Sequence, residues 1–159
     1  MRRTVRYAAS LLLMLVSATN VVLASDDPFI GTWVFDPAHS KYQAGAIPQS
    51  MTVTMEAAEN GVHYSSRTTF SNGRSTTSDY TADYDEHLAI VAGEGGFSTP
   101  VSLKRINTHT VEASYKRALR VVATARRVVS NDGSTMTVTT TETKDGKTTK
   151  NVSVFHRAK

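Results

Sequence analysis

The 159-residue sequence contains no cysteine. That excludes a disulfide framework, a thiolate metal site and the lipidated cysteine of a bacterial lipoprotein. Apolar runs are short as well. The stretch from Ala8 to Val16 falls far below the ~20 residues that a membrane-spanning helix needs, so no transmembrane anchor is expected. There is no glycine-rich phosphate loop, no glycine-framed serine nucleophile and no dinucleotide fingerprint, and no cofactor is implied. Aromatic residues make up 8% of the chain and do not interleave with a basic strip as single-stranded nucleic-acid binders require. Nucleic acid is therefore set aside as a partner. No segment shows a helical period.

What is present begins with a leader. Arg2, Arg3 and Arg6 precede the apolar run, and Val22-Leu23-Ala24 supplies a small-residue close. This reads as a secretory signal peptide over residues 1–24, cleaved after Ala24. The residues around Arg2-Arg3 do not otherwise match a twin-arginine signal, so the Sec route and a periplasmic or secreted protein are expected. Residues 25–159 suffice for one soluble domain with its own core, expected to be a monomer. Losing three arginines takes the formal charge from +4 to +1. That charge is uneven: ten acids against Lys41, Arg67 and Arg74 from Ser25 to Glu94, then twelve bases against four acids from Gly95 to Lys159. Consecutive strands would turn this into an acidic wall and a basic wall, able to steer an anion or simply to be solvated.

From Ser50 onward, β-branched and aromatic residues alternate with polar ones between Asn-Gly, Asp-Gly and Gly-rich turns, the pattern of strands. Ten are predicted: Phe29 to Asp36, Ser50 to Ala57, Val62 to Phe70, Arg74 to Asp83, His87 to Ala92, Thr99 to Ile106, Thr110 to Lys116, Arg120 to Ser130, Ser134 to Thr143, and Thr148 to Arg157. Pro37 to Gln49 reads as a long loop. Short connections imply antiparallel neighbours. A meander this long must manage its edge strands, and closure removes them, so the fold class predicted is an all-β, antiparallel up-and-down barrel of 8–10 strands. Such a barrel either fills its interior or holds one small ligand.

Hairpin register follows from requiring apolar residues to face one another. A three-residue loop at Ser71-Asn72-Gly73 pairs Tyr64 with Tyr80 and Val62 with Ala82. The same loop length at Lys144-Asp145-Gly146 pairs Val138 with Val152 and Met136 with Val154. At Asn131-Asp132-Gly133 it turns Arg126 inward, whereas a two-residue loop would select Arg127; Arg126 is favoured. Asn107-Thr108-His109 places Arg105 beside Val111, Leu103 beside Ala113 and Val101 opposite Tyr115, making Arg105 a second inward base. The small or hydroxylated inward set, Val62, Ser66, Thr68, Ala82, Ala113, Thr124 and Thr140, points to a cavity or to a packed, partly polar core.

Phe29-Ile30-Gly31-Thr32-Trp33 resembles the Gly-x-Trp opening of the calycin superfamily, the lipocalins and intracellular fatty-acid-binding proteins. The tail, Met136-Thr137-Val138 and Lys144-Asp145-Gly146-Lys147 leading to Val152-Ser153-Val154-Phe155, resembles the closing hairpin of the latter. Asp36-Pro37-Ala38-His39-Ser40-Lys41-Tyr42 and Arg126-Arg127-Val128-Val129-Ser130 resemble small exported bacterial lipocalin-like proteins, a resemblance that implies a fold and no activity. The calycin resemblance implies that Trp33, with Gly31 beside it, closes one barrel end and that a late basic residue packs across it, for which Arg157 is the positional candidate. The two-helix lid of fatty-acid-binding proteins has no room in Pro37 to Gln49, and their carboxylate-binding Arg and Tyr have no clean match in Phe155-His156-Arg157.

The five histidines, His39, His63, His87, His109 and His156, have no short mutual spacing of the kind zinc sites use, so no metal site is predicted. Asp83-Tyr84-Asp85-Glu86-His87 reads as a turn rather than an acid–base or calcium cluster. Glu94-Gly95-Gly96 reads as a rim turn. The leading expectation is a non-enzymatic binding protein for a small hydrophobic or amphiphilic ligand, with Tyr64, Tyr80, Tyr115 and Phe70 lining the interior and Arg126 or Arg105 meeting an anionic end. Glu142 or Asp79 could instead satisfy such a base internally. Two alternatives stand beside it: an isomerase- or cyclase-type enzyme using His156 or Tyr115 as acid or base, and an envelope stress protein with a solid interior.

Overall fold

A computed structural model describes residues 27–95 and 99–159; the expected leader lies outside them. Nine strands follow in chain order: β1 (Gly31–Tyr42), β2 (Pro48–Ala57), β3 (Gly61–Phe70), β4 (Ser75–Asp83), β5 (Val101–Asn107), β6 (Thr110–Arg117), β7 (Arg120–Val129), β8 (Thr135–Lys144) and β9 (Lys147–Arg157). They form one antiparallel sheet in the order β4-β3-β2-β1-β9-β8-β7-β6-β5, with no helix among the described residues. The first and last strands pair in the middle, so the sheet rolls into a nearly closed barrel whose seam lies between β4 and β5.

The fifth predicted strand, His87 to Ala92, does not form: the segment makes only isolated bridges. It crosses the seam. Asp85 and Ala89 bridge to Lys104 and Val101 of β5, whereas Ala92 bridges to Asp79 of β4. Glu86 N–H donates to the Leu103 carbonyl at 3.0 Å, and Thr77 N–H to the Glu94 carbonyl at 3.0 Å. A chain that changes edges within a few residues cannot run a ladder on both sides, yet it satisfies backbone groups that an open sheet would leave bare.

β1 runs past the expected boundary at Asp36 because Pro37 sits in a bulge, where its missing N–H costs no ladder bond. Asp36 pairs with Val154 and Lys41 with Val152, so four residues of β1 oppose one of β9. Register matches the prediction at two hairpins: Tyr64 faces Tyr80 and Val62 faces Ala82, and Arg105, Leu103 and Val101 face Val111, Ala113 and Tyr115.

Two hairpins depart from it. Lys144 pairs with Lys147, leaving a two-residue turn in which Asp145 (φ 50°) and Gly146 (φ 76°) are both left-handed. This is the turn type Asp-Gly favours. Val138 therefore faces Ser153 and Met136 faces Phe155, and Val152 and Val154 turn outward. At the other hairpin Ser130 N–H donates to the Thr135 carbonyl at 2.8 Å, so the loop is four residues long, Asn131 to Ser134. The Asp132 carboxylate holds it by accepting from Ser134 N–H at 3.0 Å and from the Ser130 hydroxyl at 2.5 Å. The even loop length flips the parity of β7: Val129 faces Met136 and Arg127 faces Val138. Thr124 turns outward with Arg126, while Ala123 and Ala125 are buried.

Candidate functional site

The barrel interior divides into a packed half and an open half. Trp33 is fully buried at the closed end, its indole N–H donating to the Phe29 carbonyl at 2.9 Å. The Arg157 guanidinium lies 4.3 Å from the indole centroid and donates to three carbonyls: Gly133 at 2.7 Å, Ile30 at 2.6 Å and Pro28 at 2.6 Å. Gly31 makes the approach possible. A Cβ there would stand 2.6 Å from Arg157 Nη1, on a backbone with φ of +135°. Phe29, Met55, Val62, Val101, Leu103, Val111, Val129 and Met136 fill the space above Trp33 and Arg157.

Beyond this core the inward residues become small or hydroxylated, and space opens. An inner chamber of about 200 Å³ is lined by Tyr42, Met51, Tyr64, Tyr115, Val138, Thr140, Ser153 and Arg127, among others. An outer chamber of about 390 Å³, reaching the mouth, shares Met51, Tyr64, Tyr115 and Thr140 with it and adds Ser66, Thr68, Phe70, Arg74 and Gly95. The four shared residues place the two chambers side by side. Cross-strand pairing explains the lining, because Thr140 faces Ala125 and Ser66 faces Val53, leaving small side chains where a filled barrel would place large ones.

Arg127 dominates the electrostatics. It is 4% exposed, and none of the ion pairs among the described residues involves it. Its Nη2 donates to the Tyr80 hydroxyl at 2.8 Å, and its guanidinium lies 4.9 Å from the Tyr64 ring centroid. Tyr64 and Tyr80 are themselves stacked at 4.8 Å and 13°. Burial opposes the charge and the hydrogen bond to the Tyr80 hydroxyl favours it; the guanidinium stays above the ordinary arginine value and is therefore ionised. Burial in turn pushes the phenols of Tyr80 and Tyr64 up, with Arg127 pulling the other way. The result is a neutral aromatic pair supporting a cation that has no carboxylate ion-pair partner among the described residues, at the floor of a cavity.

The expected site residues fall into three groups. Tyr64, Tyr80, Tyr115 and Phe70 lie in or against the open half, Phe70 at the mouth with the Arg74 guanidinium 4.9 Å from its ring centroid. Arg105 faces inward but at the closed end, where it pairs with Asp27 and stacks on Tyr84 at 4.1 Å and Phe29 at 5.4 Å. Its charge is met within the protein, beside an open cleft distinct from the chambers. Arg126 and His156 point outward, which corrects both expectations. The Arg126 side chain is half exposed, 3.9 Å from Glu112, because of the four-residue loop. His156 faces out because its neighbours Phe155 and Arg157 take the inward positions. Neither Glu142 nor Asp79 partners a buried arginine; Asp79 bonds His63 at 3.1 Å.

Arg74, Tyr42 and Met51 belong to the site but did not stand out in the sequence. Tyr42 lies in the stretch read as loop, and its hydroxyl meets that of Ser153 at 2.7 Å. The strand-like alternation of Ser40 to Tyr42 after the proline was the available signal.

No family model matches the chain, and no curated protein does at the level of sequence. Solved structures do. The zebrafish ileal bile acid-binding protein complexed with cholic acid aligns over 82% of this chain and 99% of its own, at 10% identity and a TM-score of 0.53. Rv2717c from M. tuberculosis aligns over 83% and 94% respectively, at 14% identity and a TM-score of 0.48. With the rolled nine-stranded sheet and the Gly31–Trp33–Arg157 closure, the first of these shows that the chain has the calycin barrel fold.

Proposed function

We propose that the chain is an exported, periplasmic or secreted, non-enzymatic binding protein that holds a small anionic amphiphile in the open half of the barrel. The anionic head meets Arg127 in the inner chamber, and the apolar part runs past Met51 and Tyr115 towards Phe70. The observation that carries this reading is the buried guanidinium at the floor of a cavity, with no carboxylate paired to it among the described residues. Charge burial of that kind is costly unless a counter-ion arrives. The volumes agree, since small-molecule sites occupy roughly 300–1,000 Å³: the inner chamber of about 200 Å³ takes a head group, and the outer one of about 390 Å³ takes the remainder. A ligand-holding barrel is also the use made of this fold by the bile acid-binding neighbour. Open chambers of this size argue against a protein with a solid interior acting only through its surface.

The test compares a dansyl-labelled undecanoic acid with its methyl ester by fluorescence titration. The acid should bind more tightly than the ester, and Arg127→Leu should erase that preference, a loss of about 1–3 kcal/mol on the acid alone. Arg126→Leu changes net charge equally and should leave the preference intact. Ester binding reports whether the barrel of each variant is sound. An acid preference that survives Arg127→Leu, or no saturable binding of either probe, would overturn the reading.

A further inference from the structure

We propose that Asp36, His39 and His156 form a binding site for a divalent transition-metal ion, of the zinc class, on the outer face of the barrel where β1 meets β9. One ligand atom from each of these residues lies within 4.8 Å of the other two. His39 Nδ1 lies 2.6 Å and His156 Nε2 2.8 Å from the same atom, Asp36 Oδ2. Two imidazoles and one carboxylate are a donor set suited to zinc, copper or nickel, and their nitrogen content disfavours calcium and magnesium.

The fold builds this convergence from two independent features. Val34 pairs with His156 and Asp36 with Val154, so Asp36 and His156 are diagonal neighbours on the outward face of one ladder. His39 would lie elsewhere on a regular strand. The bulge between Asp36 and Lys41 brings it back: Asp36 Oδ1 accepts the backbone N–H of Ala38 at 2.9 Å and of His39 at 3.3 Å. The Ser40 hydroxyl donates to the Asp36 carbonyl at 2.6 Å and accepts from Val154 N–H at 2.9 Å. One carboxylate oxygen is thereby held by the backbone, and the other faces both imidazoles. Orienting bonds of this kind fix a ligand before the ion arrives.

His63 provides the contrast. It too contacts two carboxylates, but Glu56 meets Nδ1 at 3.2 Å and Asp79 meets Nε2 at 3.1 Å. Its partners lie on opposite ring edges, and no single ion reaches both. At Asp36 the three ligand atoms lie within 4.8 Å of one another, with both imidazole nitrogens against the same carboxylate oxygen, and the exposed side of His39, whose side chain is 73% exposed, would leave remaining coordination positions to water. Bound there, an ion would clip the bulge of β1 to β9.

The test is calorimetric titration of the purified protein, without a polyhistidine tag, with zinc chloride, alongside its thermal unfolding with and without zinc. One equivalent should bind, and the unfolding temperature should rise. His39→Ala and His156→Ala should each weaken binding by roughly tenfold or more and abolish the zinc-dependent rise, with metal-free unfolding unchanged for the exposed His39. His63→Ala should bind as the parent does. In the parent protein, substoichiometric copper(II) should broaden the imidazole resonances of His39 and His156 first. No saturable zinc binding, binding that survives His39→Ala, or equal weakening by His63→Ala would overturn the proposal.

Discussion

The Arg127 guanidinium on β7 donates to the Tyr80 hydroxyl on β4 at 2.8 Å, a contact between two strands that share no ladder, made across the interior. It holds a cation where the barrel would otherwise be apolar. A buried charge without an ionic partner among the described residues costs stability. Arg127→Met should therefore stabilise the unliganded protein, by on the order of 1 kcal/mol or more, in urea unfolding. A loss of several kcal/mol would mean that Arg127 is a structural member of the core.

The tyrosines beneath it make a pH-dependent prediction. Burial raises the phenols of Tyr64 and Tyr80 above the ordinary value of 10.0. In the unfolded chain they ionise near their normal value, about pH 10. The stability they contribute is fully present below that pH and falls as the pH rises from about 10 towards their raised folded values. Ultraviolet titration of the folded protein should show the half-buried Tyr42 and Tyr84 ionising before Tyr80, and Tyr80→Phe should leave that early amplitude unchanged. An early amplitude that drops in Tyr80→Phe would show a solvent-accessible phenol.

How far the sequence could be read depended on what faced inward. At Ser71 to Gly73 and Asn107 to His109 the opposed residues are apolar, and matching them gives the observed register. In the open half the inward faces carry Thr140 and Ser153, while Val152 and Val154 face out. There, apolar matching selects the wrong parity at Lys144 to Gly146. At Asn131 to Gly133 the error came from loop length, which Asp132 sets through side-chain bonds to Ser130 and Ser134 that no periodicity records. The choice of Arg126 over Arg127 failed at that point. The Asp36–His39–His156 cluster escaped notice for a related reason: one member arrives by a bulge and another from the far end of the chain.

At the closed end, Trp33→Ala should cost about 3–5 kcal/mol, as truncation of large buried aromatics does, and native Trp33 emission should be blue-shifted. Gly31→Ala should also destabilise, because the added Cβ would stand 2.6 Å from Arg157 Nη1 on a backbone with φ of +135°. Emission like that of free tryptophan in the parent, or a neutral Gly31→Ala, would contradict the packing described.

The β6–β7 turn carries removable strain. Ala118 (φ 46°) and Leu119 (φ 65°) both occupy the left-handed region, which disfavours residues with a Cβ by roughly 1–2 kcal/mol each. Leu119 is 85% exposed, so little packing is at stake. Leu119→Gly should raise stability by about 1 kcal/mol in chemical denaturation. A destabilised variant would show that the Leu119 side chain packs on something.

The location of ligand binding can be tested without touching a charge. Thr140 pairs with Ala125 on one side and Asn151 on the other, and its side chain borders both chambers. Thr140→Phe would project an aromatic ring into the space that Thr140 lines. In a filled core such an enlargement costs about 1–3 kcal/mol through overpacking. Here the ring enters existing space of about 200 Å³, so stability should hold or rise. Binding should fail for the dansyl acid and for its methyl ester alike, because the obstruction is steric. That pattern differs from Arg127→Leu, which should affect the acid only. If the probe instead adheres to the basic outer wall formed by β5 to β9, Thr140→Phe should leave its affinity unchanged, and the interior site would be abandoned even if Arg127→Leu were weakened.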